Sequence, residues 1–193
     1  MHGEIRLGSW RAFRARQVTV AGRGMVWEAS VRMMGLTVRG YDRLLDGRGE
    51  MLWKLLGLVP VMRRSGADVT RSAAGRMAAE SVWLPQMLLD AGVDCRDVDG
   101  GFAASLDVCG HRQEVRFRLD SDGRLLALRM KRWGDPDGRG HRLVDFGGIA
   151  LEESTFDGVK IPSRMRIGWF WDGSGFRGDG EFFRVAIDAA EFG

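Results

Sequence analysis

Arg76 and Glu80 stand four residues apart in the segment RSAAGRMAAESVWLP, with Arg71 a turn and a half before them. On a helix that spacing places both charges on one face. At a surface such a pair is a salt bridge worth only about 0.2–0.5 kcal/mol. Wrapped by a sheet, the same charges face an interior, where an unpaired charge costs about 3–5 kcal/mol. In that setting Glu80 is a candidate general acid or base and Arg76 the group that orients it. Three further acids lie in period-two register with apolar residues. Asp42 follows Leu36 and Val38, Glu152 lies between Ala150 and Phe156, and Glu181 precedes Phe183, Val185 and Ile187. A carboxylate turned into an apolar interior has its pKa raised and becomes available for proton transfer or for holding a ligand's polar end. The alternative is that each acid sits at a strand end or pairs with an arginine.

Aromatic residues form the next group. Seven tryptophans fall in 193 residues, and Trp27, Trp53, Trp83, Trp133 and Trp169 lie in strand-like segments or at the helix end, as does the lone Tyr41. Such side chains fill cores, and they also line ligand pockets, offering a broad apolar wall and one donor. Ten methionines add adaptable contacts. Together these residues make candidate walls for a cavity.

Several chemistries find no support. There is no GxSxG elbow, no GxxxxGK[ST] loop, no GxGxxG spacing after a strand and no HExxH. The DGRGE and DGSG runs lack the acidic ligands of a calcium loop. His2, His111 and His141 sit among loop residues and make no metal pattern. Cys95 and Cys109 are read as two free thiols, the alternative being a single disulfide if their strands meet. Neither a metal nor a cofactor is expected. The net charge of +3 is too small to imply a polyanionic partner, although all but Lys54, Lys131 and Lys160 of the 29 basic residues are arginine. Basic and aromatic residues do not interleave as single-stranded nucleic-acid sites require. No run of 18 apolar residues exists to span a membrane. MHGEIRLGSWRAFRAR carries charges where a secretory signal needs an apolar core, so a cytoplasmic location is expected.

The elements that must position these residues are mostly strands. With 45% hydrophobic residues the chain reads as one soluble domain over 1–193. Twenty-eight glycines against four prolines mark many tight turns. Met25, Trp27, Ala29, Val31 and Met33 make one apolar strand face, with Glu28, Ser30 and Arg32 opposite. Further strands are expected near Phe13–Val20, Leu36–Arg43 and Met51–Val59, the last covered on both faces. The later half adds Phe102–Cys109, Gln113–Leu119, Leu125–Trp133, Ile149–Phe156, Ile161–Trp171 and Glu181–Ile187. From Asp68 to Asp90 the period becomes helical, with Asp68 as N-cap, small residues suited to close approach, and Pro85 ending or restarting the helix. The expected fold is α+β: a strongly curved antiparallel sheet of eight or nine strands, an open or half barrel, around one central helical segment.

The stretches GRGMVWEASVRMMGLTVRGYDRLLDGRGEMLWKLLGLVPV, RSAAGRMAAESVWLP, LEESTFDGVKIPSRMRIGWFW and GEFFRVAI resemble the bacterial domain-of-unknown-function family 6544. The resemblance spans Gly3 to Ile187, with RxxxGRxxxExxWLP its most specific part, and implies no established activity. The layout is similar to the lipoprotein-carrier half-barrel, a shape also used by a cofactor-free enzyme of indole pigment biosynthesis. Two functions are therefore expected of the sequence. One is binding of a hydrophobic or aromatic small molecule in the barrel. The other is a cofactor-independent cyclase, isomerase or hydrolase using the carboxylates. The oligomeric state is not legible.

Overall fold

A computed structural model describes residues 1–193. Thirteen strands form one antiparallel sheet: β1 (His2–Leu7), β2 (Ser9–Val20), β3 (Gly24–Met33), β4 (Leu36–Leu45), β5 (Arg48–Leu55), β6 (Val59–Ser65), β7 (Asp94–Val98), β8 (Gly101–Val108), β9 (His111–Leu119), β10 (Leu125–Gly134), β11 (Arg142–Phe156), β12 (Val159–Trp169) and β13 (Glu181–Ala186). Helix α1 (Ala67–Ala79) lies between β6 and β7, followed by 3-10 turns at Glu80–Val82 and Pro85–Leu89. The sheet is open, with β6 and β7 as its edges, and β1 pairs with β13 to join the two halves.

The expected class, a mostly antiparallel open sheet with one short helix, stands; the count of eight or nine strands is corrected to thirteen. Strands escape the periodic pattern for physical reasons. β7, DCRDV, is an exposed edge strand with almost no apolar face. β1 is short and nowhere fully buried. β5 and β6 read as one run because Leu56-Gly57 turns the chain without a polar residue. Leu56 (φ 53°) and Gly57 (φ 75°) both take positive φ, as the tight hairpin turn that matches strand twist requires. Asp46-Gly47 and Asp157-Gly158 use the same geometry, and so do Met34-Gly35 and Cys109-Gly110. The expected coverage of both faces here is also corrected: β5 is half-buried and β6 largely exposed.

Helix α1 sets the curvature. It packs against β5 and β10, which lie eight positions apart in the strand order, and touches β4, β6, β8 and β9. Flat, eight steps would span about 38 Å, against a helix diameter of about 10–12 Å. The sheet must therefore curl around the helix. The small-residue face makes this close seating possible, with Ala74 and Ala78 wholly buried. Asp68 is not the N-cap: Gly66 holds that position, and Asp68 instead accepts from the Trp133 indole at 2.9 Å. Thr70 anchors the first turn, its hydroxyl accepting from the Gly49 N–H of β5 at 2.9 Å. Pro85 opens the second 3-10 turn, where its missing N–H costs nothing. The core joins the inward faces of β2, β3 and β8–β13 to α1.

Candidate functional site

Between α1 and the concave face of the sheet lies a cavity of ≈ 350 Å³. That is within the range of small-molecule sites. Its apolar wall comes from inward positions of several strands: Met25 and Trp27 on β3, Leu128 on β10, Phe146 on β11, Met165, Ile167 and Trp169 on β12, and Phe182 and Phe183 on β13. Trp83 closes one side, tied by its indole N–H to the Pro162 carbonyl at 3.0 Å. Asp135, His141 and Arg64 stand at the more exposed rim.

The polar part is a network centred on Arg76. Its Nε donates to Glu80 Oε1 at 2.7 Å, its Nη1 to Asp42 Oδ2 at 3.2 Å and its Nη2 to Gln17 Oε1 at 3.3 Å. Gln17 Nε2 donates in turn to Glu80 Oε2 at 2.6 Å. The Trp53 indole donates to Asp42 Oδ1 at 3.1 Å. Strand register explains the meeting. Asp42 faces Trp27 across β3 and Met51 across β5, on the inward side toward α1. Gly40 lets the Trp53 ring lie low enough to reach Asp42, since a Cβ there would stand 2.5 Å from that ring. Burial raises the Asp42 carboxyl above its usual range, outweighing the Arg76 charge and the Trp53 hydrogen bond. Arg76 is held protonated more firmly than an ordinary arginine: the Glu80 and Asp42 charges overcome its own burial.

Arg132 is the second buried cation, only 8% exposed. It follows Leu128 and Met130 on the inward face of β10. Its Nε and Nη2 both donate to the Ser72 carbonyl of α1, at 3.3 and 3.2 Å. Its guanidinium lies 4.8 Å from the Phe146 ring centre and 4.9 Å from that of Trp169. No carboxylate comes within ion-pair distance. Burial, reinforced by the Arg76 charge, pushes it down to about 9.

Of the residues singled out in the sequence, Glu80, Arg76, Asp42, Trp27, Trp83 and Trp169 line this cavity. Trp53 stands one layer behind, packed on Trp27 at 5.8 Å. The others lie outside it. Glu152 is exposed and pairs with Arg164 at 3.1 Å. Glu181 is clamped by Arg166 and by Arg184, which hold its carboxyl below the usual range. Tyr41 does not line it, and its hydroxyl donates to Glu50 at 3.3 Å. Trp133 lies under Arg71, whose guanidinium is 3.8 Å from its ring centre. The arginine-paired alternative thus describes Glu152 and Glu181. Asp42 and Glu80 are paired as well, but inside the cavity. Arg132, Gln17 and Ser72 were not singled out by the sequence reading. Arg132 was legible as a charge on the apolar Leu128, Met130 face, which a search for acids passes over.

No group of three or more His, Cys, Asp or Glu side chains is placed to hold a metal ion. Cys95 and Cys109 are unpaired. No helix is long and apolar enough to cross a membrane.

Fold and site together define an open, mostly antiparallel sheet curled around one short helix, with buried charges between the two. The chain belongs to a family of unknown function, DUF6920, whose model matches residues 1–192. This corrects the expected family number, 6544; that the family has no assigned function is common to both. No curated protein and no solved structure matches the chain.

Proposed function

We propose that this protein binds a hydrophobic or aromatic small molecule in the cavity between α1 and the sheet. The supporting observation is the cavity itself: ≈ 350 Å³, walled by Trp27, Trp83, Phe146, Trp169 and Phe183 with Met25 and Met165. Proteins close-pack their interiors, and voids much larger than a water molecule are few. A space of this size under a helix, walled by aromatic and methionine side chains, suits an apolar occupant. The test is titration with the neutral fluorophore N-phenyl-1-naphthylamine. One bound probe per chain with blue-shifted emission is expected. Ala73→Phe, which places a ring from α1 into the cavity, should abolish binding while leaving the fold intact. An unresponsive wild-type protein sinks the reading.

A second reading, a cofactor-independent enzyme in the same cavity, draws on one observation: burial raises the Asp42 carboxyl there, as proton-transfer groups require. Glu80 and Asp42 each accept hydrogen bonds at both oxygens, Glu80 from Arg76 and Gln17, Asp42 from Trp53 and Arg76.

A further inference from the structure

The interior charges do not balance pairwise. Arg76 pairs with two buried carboxylates, Asp42 of β4 and Glu80 just past the end of α1. Arg132 is as deeply placed, yet its only acceptors are the carbonyl and hydroxyl of Ser72, reached by Nε and Nη2. Its Nη1 has no partner in the chain, and the side chain lines the cavity. A helix carbonyl needs no cation as its donor; a neutral amide would serve without the cost of burying charge. The adjoining surfaces are built around this side chain: Gly75 is so close that a Cβ there would meet Arg132 Cγ at 3.0 Å. The aromatic faces of Phe146 and Trp169 flank the guanidinium. They stabilise a cation without satisfying its remaining N–H groups.

Building on the binding function proposed above, we infer that the cavity ligand is an amphiphilic acid, an apolar body with an anionic oxygen headgroup seated on Arg132. The guanidinium fork suits a carboxylate, sulfonate or phosphate, whose oxygens accept the free N–H groups and neutralise the cation. The body lies along Met165, Ile167 and Phe183. The low guanidinium pKa, about 9, reflects the same burial, to which the Arg76 charge adds and which the Glu80 and Asp42 charges only partly offset.

The test compares two fluorophores that share a ring system and differ in charge: N-phenyl-1-naphthylamine and its sulfonate, 1-anilinonaphthalene-8-sulfonate. The wild-type chain should bind the sulfonate about tenfold or more tightly than the neutral probe, the worth of one charge-assisted contact. Arg132→Met should abolish that preference by weakening the sulfonate about tenfold more than the neutral probe, a pattern that loss of a purely structural arginine does not produce. Arg132→Lys, which keeps the charge and loses the fork, should retain part of the preference and guards against a misfolded Met variant. Equal wild-type affinities, or a preference that survives Arg132→Met, would overturn the inference while leaving the cavity reading standing. Failure of both probes removes the cavity reading and this inference with it. Displacement of the sulfonate by decanoate or by decyl phosphate then distinguishes a carboxylate from a phosphate headgroup. Decanol displacing as well as either overturns the assignment.

Discussion

Asp42 shows how a single residue couples the cavity to pH. Its carboxyl is raised because burial outweighs the help of Arg76 and Trp53. The folded state therefore holds this proton more tightly than the unfolded chain. Asp42's contribution to stability is complete below the ordinary value of 3.8 and is lost as pH rises through the higher folded value. Glu181 has the opposite sign, because Arg166 and Arg184 lower it: its contribution is present above the ordinary glutamate range and lost on acidification. Urea unfolding across the acidic range should show wild type losing stability relative to Asp42→Asn as pH rises. Against Glu181→Gln it should gain. Parallel curves for Asp42→Asn and wild type would mean that the carboxyl is not buried as described.

At the scale of elements, α1 and the glycines beneath the tryptophans decide how closely the parts approach. A Cβ at Gly134, the last residue of β10, would stand 2.5 Å from Cη2 of Trp169. That ring cannot give way easily, because Phe146 packs against it edge-on at 5.1 Å and Phe182 stacks at 6.4 Å. Gly134→Ala should therefore cost about 1–3 kcal/mol through overpacking and change the near-ultraviolet dichroism of tryptophan. Thermal unfolding measures the first and spectroscopy the second. An unchanged melting temperature would show that the Trp169 wall is loose, and with it the cavity.

For the whole molecule, two devices hold an open sheet in a curl: the β1–β13 ladder and the helix packed against both β5 and β10. Stability should be distributed accordingly. Amide hydrogen exchange is expected to be slowest in α1 around Ala74–Ala79 and in β3 and β10, whose inward residues are buried. It should be fastest in the edge strands β6 and β7, which expose most of their length. Exchange in α1 as fast as at the edges would mean that the helix is not the plug of the barrel. The open edges also account for the hardest part of the sequence reading. An edge strand has one neighbour and little buried face, so its sequence carries little alternation, and DCRDV carries none.

Much of the architecture was written in local pattern. Alternation along Met25–Met33 and the helical period after Asp68 gave the open antiparallel sheet and its single helix, because burial of one face acts on every second or every third to fourth residue. The i, i+4 spacing gave the Arg76–Glu80 pair. Tertiary structure alone decided which charges share an interior. Asp42 and Glu152 look alike in sequence, each an acid in register with apolar neighbours, yet one faces the helix and the other faces solvent beside Arg164. Gln17, 63 residues before Glu80, meets it only because the sheet curls. Arg132 is left without a carboxylate for the same reason: Arg76 lies closer to Asp42 and Glu80. Pairing across a curved sheet depends on distances between strands far apart in the chain, which local periodicity does not encode.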